Sequence, residues 1–284
     1  MKKYLLILSI VFLLSCNQDT IEDFKFEVQD EMALLGELNQ LDTLQVILVE
    51  VGNLSTGSDI NIIEEAEVVV LNNNDEIIDQ LYYSSIHQKW RSNSKSDINS
   101  GAVYKIEAKF DNHLITSSTL VLNPIEATIT NVSTEELETS IDININNIGG
   151  ENSFCTIEIL SREKEREATD SYTRVPVFTD NTETDNRRFN EFTPPYNRVF
   201  IPIHEESPIY TIKVTIENTY LDTQNKDYFL WVKRMDEQYY NYLYNYELQK
   251  SEYNLIDLPQ LNTNIVDGIG FWGGCFKDVE QIIF

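Results

Sequence analysis

The stretch Ala102-Val103-Tyr104-Lys105-Ile106-Glu107-Ala108-Lys109-Phe110 decides the fold. Tyr104, Ile106 and Ala108 alternate with Lys105, Glu107 and Lys109, the period-2 signature of a strand with one buried face. Asp111-Asn112 turns the chain and His113 to Leu122 returns. Asp and Asn suit such turns because they tolerate left-handed backbone angles. The same grammar holds upstream. Leu44-Gln45-Val46-Ile47-Leu48-Val49 and Ala66-Glu67-Val68-Val69-Val70-Leu71 are apolar and rich in β-branched residues. Gly52 to Asp59 separates them as a loop, and Asn72-Asn73-Asn74-Asp75 turns the second run into Glu76 to Tyr83. Strands, short turns and no long amphipathic helix predict an antiparallel β-sandwich of the immunoglobulin or fibronectin kind over 37–123.

Asn123-Pro124 marks a boundary, since proline restricts the residue before it and donates nothing to a ladder. A second sandwich is expected over 124–284. Its strands read as Glu126 to Val132, Ile141 to Ile145, Ser153 to Ser161, Arg198 to Ile203, Tyr210 to Asn218 and Phe229 to Arg234. Asp142, Asn144 and Asn146 have the spacing of a calcium loop. Asn147 stands where that loop needs Gly and Ser153 where it needs Glu, so the alternating isoleucines make this a strand.

The period changes after Asp236. Tyr239, Tyr242, Leu243 and Tyr246 are spaced i, i+3, i+4, i+7, which predicts a helix over 236–250 with Asp236 as its N-cap. That row is expected to pack on the sheet. Tyr240 and Tyr244 form an offset row, half-exposed and a candidate ligand or partner surface.

The first sixteen residues give an address. Lys2-Lys3 precede the apolar run Tyr4 to Leu14, too short to span a bilayer as a mature helix. Leu13-Leu14-Ser15-Cys16 resembles a bacterial lipobox. The resemblance implies a signal peptide over 1–15, lipidation of Cys16 and a tether over 16–36. Several acyl chains together anchor stably where one does not. The acidic Asp19 to Asp23 resembles the export signal of Bacteroidota surface lipoproteins. The implied location is the outer membrane, surface-exposed, with a periplasm-facing position as the alternative.

The chain carries 47 Asp+Glu against 21 Lys+Arg, a net charge of -26. That excludes a nucleic-acid partner, which needs clustered cations. Cys155 and Cys275 remain after processing, either as a disulfide across 120 residues of chain or as two buried thiols. His87, His113 and His204 have no helical metal-ligand spacing, and His204-Glu205-Glu206 sits in a loop, so no metal is expected. No Gly-x-Ser-x-Gly elbow occurs. No cofactor and no enzymatic activity are expected. Arg187, Arg188 and Arg198 are candidate contacts to an anionic or carbohydrate ligand, with surface ion pairs as the alternative.

Asn264-Ile265-Val266-Asp267-Gly268-Ile269-Gly270-Phe271-Trp272-Gly273-Gly274 closes the argument. Asn264, Ile265, Gly268, Gly270, Phe271 and Gly273 match a closing pattern Asn-Ile-x-x-Gly-x-Gly-aromatic-x-Gly. With the lipobox, two β domains and a Tyr-rich helix, the chain resembles Bacteroidota lipoproteins carrying domain of unknown function 4249. Trp272, Cys275 and the residues after the glycines depart from that pattern. The motif reads as structural, with Phe271 and Trp272 packed on the second sheet. The resemblance implies a non-enzymatic accessory of a TonB-dependent nutrient receptor. The alternative is a structural or adhesive surface module growing by strand addition, and a hydrolase is the third reading.

Overall fold

The computed structural model describes residues 31–51, 60–95, 97–147, 152–164, 172–179, 181, 184, 196–204, 209–251 and 261–284. The protein is mainly β, with a 13-stranded sheet, a 3-stranded sheet and a helix near the C-terminus. The first half holds β1 (Glu31–Leu38), β2 (Gln45–Val51), β3 (Ile60–Ile62), β4 (Glu67–Leu71), β5 (Ile77–Ser84), β6 (Lys89–Arg91), β7 (Ala102–Phe110) and β8 (His113–Val121). β5 pairs β4 with one end and β6 with the other, so it turns the corner between two layers. Between those layers lies a core of Leu34, Leu48, Val68, Tyr104, Ile106, Ala108 and Ile115. The alternation that opened the sequence is thus the alternation of burial along β7. Asp75 and Asp111 take φ 57° and 51° in their turns.

The second half holds β9 (Glu126–Thr134), β10 (Glu138–Asn146), β11 (Ser153–Glu163), β12 (Thr173–Val175), β13 (Val199–Ile203), β14 (Ile209–Glu217) and β15 (Lys226–Met235). β14, β10 and β9 form the small sheet, which faces β11, β13 and β15. Ile141, Ile143 and Ile145 are fully buried between the two. At one end the buried Arg234 donates from Nη1 to the carbonyl of Pro124 (3.3 Å) and from Nε to Ser153 Oγ (3.0 Å). The linker at Asn123-Pro124 is therefore tied to the second half by a charged side chain.

α1 (Glu237–Ser251) begins where expected, and Asp236 Oδ1 accepts from the backbone N–H of Tyr239 at 2.8 Å. β16 (Ile269–Ile282) follows. Its first half runs parallel to β1, Ala33 opposite Ile269 through Leu38 opposite Gly274. Its second half runs antiparallel to β15, Met235 opposite Cys275 through Tyr228 opposite Ile282. One strand therefore joins both halves into a single large sheet.

Two expectations are corrected here, and of the two alternatives for the cysteines the buried thiols hold. The tether was expected to run to residue 36, but β1 starts at Glu31 and buries Met32, Ala33 and Leu34. β1 has neighbours on both edges, and its second face is covered at Ala33 but open at Leu35, so it lacks a clean alternation. The closing motif does not belong to the second half alone. Trp272 is fully buried in the first core, while Phe271 lies under α1. Cys155 and Cys275 are free thiols. Cys155 lies opposite Arg234 and Cys275 opposite Met235, which puts the cysteines two strands apart. They also belong to different cores on the two faces of the sheet. Two strand spacings make about 10 Å, beyond disulfide reach.

Candidate functional site

Residues of alternate parity on β11 and β15 face away from the second core. Thr156 and Glu158 on β11, and Trp231, Lys233 and Met235 on β15, point toward α1 and β1. Here the outer face carries charge. Glu158, 1% exposed, accepts from Arg174 Nε (2.6 Å) and Arg198 Nε (2.9 Å), with Lys233 Nζ at 3.7 Å. Lys233 Nζ also reaches Glu37 Oε2 on β1 at 2.8 Å, and Tyr239 Oη donates to the same oxygen at 2.7 Å. Arg198 Nη1 extends the chain to Glu247 of α1 at 3.0 Å. Lys277 Nζ pairs with Asp42 at 2.7 Å and lies 3.2 Å from the centre of the Trp231 ring. Four cations and four carboxylates are thus interlocked, and they pin helix, first strand and last strand to one surface.

The pKa shifts follow from this geometry. Burial alone would raise the Glu37 carboxyl. Lys233 outweighs burial, with help from Tyr239 and Lys277, and brings it from 4.5 to about 2. Glu158 is likewise held below the usual carboxylate range, by Lys233, Arg198 and Arg174 against burial. A folded pKa below the unfolded one contributes stability that is complete above the unfolded value. For Glu37 that contribution is expected to fall away as pH drops from 4.5 toward about 2. Urea midpoints taken across that window should decline, and a Glu37→Gln variant should decline less steeply. Burial pushes the Cys155 thiol up to about 12 and the Cys275 thiol well above its ordinary value. Neither is a thiolate at neutral pH.

Beside this cluster, and touching it at Glu37, Asp42 and Arg198, lies a groove of about 620 Å³. One wall is aromatic. Tyr239, Phe271, Tyr242 and Tyr246 form a tier of near-parallel rings. Their successive centroids are 5.4, 4.5 and 6.4 Å apart and their interplanar angles 14°, 16° and 9°. Trp231 and Tyr172 lie at the far side, 4.9 Å apart. Leu35 of β1 lies beside Phe271 in the β1–β16 ladder and beside Ile47 of β2, and Thr43, Gln45, Lys89 and Lys95 complete the lining.

Arg198 lines this groove but is buried and paired with Glu158 and Glu247. Arg187, Arg188 and Cys16 lie outside the described residues. Tyr239 and Leu243 of the first row are buried as expected, but the offset row is not half-exposed. Tyr240 and Tyr244 are 2% and 5% exposed and both meet Phe200 edge to face, while Phe154 lies tilted against Tyr240. Tyr242 is half-buried and Tyr246 is 37% exposed. The buried stripe is Tyr239, Tyr240, Leu243, Tyr244 and Glu247. Glu247 disguised it: a carboxylate reads as a solvent position until Arg198 is seen beneath it. The tail motif is structural in the sense that Asn264 Nδ2 donates to the Trp272 carbonyl (2.8 Å) while its Oδ1 accepts the Trp272 N–H (2.9 Å). Among the described residues no three His, Cys, Asp or Glu side chains group as a metal site. Sequence reasoning missed Glu37, Glu158, Lys233 and Lys277. The available signal was a lysine or glutamate at a sheet-interior position of an otherwise apolar strand, which demands a buried partner.

Residues 21–281 match the family described as Domain of unknown function (DUF4249). The chain belongs to the DUF4249 family. No curated protein matches this DUF4249 chain. Among solved structures, one titled as manganese lipoxygenase of Gaeumannomyces graminis with a partial zonadhesin of Komagataella pastoris shares 8% identity. It covers 73% of the DUF4249 chain and 89% of its own, at a TM-score of 0.21. The native conformation of E. coli alpha-2-macroglobulin shares 9% identity over 72% of this chain and 13% of its own, at a TM-score of 0.22. Superpositions this loose carry nothing about function.

Proposed function

We propose that this protein is lipid-anchored at Cys16 in the outer membrane and captures cargo for a TonB-dependent nutrient receptor, without catalysing a reaction. One observation carries the capture reading. The aromatic groove is walled by stacked rings, and Glu37, Asp42 and Arg198, the members of the ion cluster that reach it, are each held in a pair with a neighbour. Carboxylates and cations locked in mutual pairs stabilise a rigid surface. They are poorly placed to exchange protons with a substrate, because catalytic groups need a pKa near the working pH. Concave, mostly apolar sites with a few polar groups are the usual form of a ligand site. The anchor rests on the lipobox, and the receptor partnership rests on the family resemblance, an association rather than a site argument.

The test is co-purification from native outer membranes in gentle detergent, with Cys16 intact and a tag after Phe284. A stoichiometric β-barrel receptor is the expected result. Recovery of the protein alone, or as self-assembled oligomers, overturns the receptor assignment in favour of a structural surface module.

A further inference from the structure

The first and last of the described strands lie side by side and run in the same direction. Ala33 through Leu38 of β1 pair with Ile269 through Gly274 of β16. β1 ends there, whereas β16 continues to Ile282 within the second half, paired with β15. Chain arriving from Cys16 enters β1 at Glu31, at one end of the shared ladder, and the second half hangs from the other end. A pull on the entering chain, against a hold on the second half, therefore draws β1 and β16 in opposite directions along their common axis. Shear of that kind loads all rungs of a ladder together. A pull across the strands opens the rungs one after another. The far end of β1 is also fastened. Glu37 accepts from Lys233 Nζ of β15 (2.8 Å) and from Tyr239 Oη of α1 (2.7 Å). Past the strand, Gln40 stands in for a further rung: its Nε2 donates to the Lys277 carbonyl (2.6 Å) and its Oε1 accepts the Lys277 N–H (3.2 Å). Asp42 accepts from Nζ of the same lysine at 2.7 Å. The buried Asn39 ties the turn together, donating from Nδ2 to Glu37 Oε1 (3.1 Å) and to Asp42 Oδ2 (3.0 Å).

We infer that β1 and the turn over 39–42 form a mechanical clamp, which passes tension from a membrane tether entering at Glu31 into β16 and the second half. The tension rests on the anchored-capture reading: a body held to a membrane through the residues before β1 feels any drag on its cargo along that strand. The geometry rests on the ladder and the turn alone. Apolar burial is non-directional, and Trp272 and Phe271 supply it for β16 in two separate cores. Hydrogen bonds and ion pairs are directional and weaken steeply once a strand slips, so they set the resistance along its axis. Charge-assisted bonds are roughly twice as strong as neutral ones. Here they gather at Glu37 and Asp42, the end of β1 farthest from the entering chain, where they brake the slide of the whole strand. β2 pairs with the other edge of β1, Glu31 opposite Val51 through Glu37 opposite Gln45, so the same slide shears a second ladder.

The experiment is single-molecule pulling on the full mature chain from Cys16 to Phe284, made without its lipid so that the Cys16 thiol takes one DNA handle. Cys155 and Cys275 are buried and stay unlabelled. The second handle goes on a tag after Phe284 or, for comparison, on a Val51→Cys variant. Val51 is half-buried at the end of β2, opposite Glu31. The first pair of handles shears β1 against β16, and the second peels β1 from β2. At one loading rate the shear pull is expected to need at least about three times the force of the peel, because evenly spaced parallel rungs fail together rather than in turn. Gln40→Ala removes both bonds to the Lys277 backbone without uncovering a charge. It should lower the shear force by about a third, since hydrogen bonds of the turn are lost, and leave the peel force unchanged. Equal forces in the two directions overturn the clamp. A shear force indifferent to Gln40→Ala overturns the part assigned to the turn. The handles replace membrane and cargo, so either failure is separate from that of the receptor reading, which co-purification decides.

Discussion

Glu158→Gln is expected to destabilise the protein by about 3–5 kcal/mol, the usual cost of removing one partner from a buried ionic cluster. The substitution is nearly isosteric, so it makes no cavity. It removes the charge that Arg174, Arg198 and Lys233 share. The remaining carboxylates cannot take up the slack. Glu37 already serves Lys233 and Tyr239, and Glu247 already serves Arg198. The loss should show as a lower urea midpoint at unchanged slope, the sign of changed stability rather than changed denatured-state compactness. Removing a cation as well does not restore balance, because Lys233→Met orphans Glu37 and Arg198→Met orphans Glu247. The double variants should therefore remain less stable than the parent. Recovery to parental stability in Glu158→Gln, Lys233→Met would show that the cluster is two independent pairs. A control at half-buried Glu107, paired at the surface with Lys105 at 2.6 Å, should cost under about 1 kcal/mol.

That interlocking also explains what could be read beforehand. Elements whose buried face is apolar were legible: β7, β10 and β14 alternate because one face meets a core. The turns at Asp75 and Asp111 were legible because their backbone angles select few residue types. β1 was not, since its burial comes from β16, some 235 residues away, and no local pattern encodes a parallel partner. The open face of α1 was misassigned for a related reason. Tyr239 and Leu243 belong to both candidate stripes, and the residue that separates them, Glu247, is buried only because Arg198 neutralises it. The groove followed the same rule: its lining comes from β1, β2, β6, β15, α1 and β16, and no single segment carries enough of it to be noticed.

The join between the halves should be the most sensitive place in the backbone. Gly270 sits on β16 opposite Leu34 with φ +107°, and a Cβ there would run into the Leu34 carbonyl of β1. Gly270→Ala thus combines backbone strain of about 1–3 kcal/mol with overpacking of about 1–3 kcal/mol. The combined loss is expected at about 2–6 kcal/mol, a large part of the 5–15 kcal/mol typical of a folded domain. The clash is with backbone, so a side-chain rotation cannot relieve it; β1 and β16 must separate. Amide exchange should therefore accelerate first in 33–38, while 139–145 of the small sheet keep their protection. Gly273→Ala makes the comparison sharp. Its Cβ would meet the ring of Tyr239, so it should disturb the aromatic tier and α1 rather than the β1 ladder. If both variants instead lost protection uniformly, the two halves would unfold as one unit, and the join would be no weaker than the cores it connects.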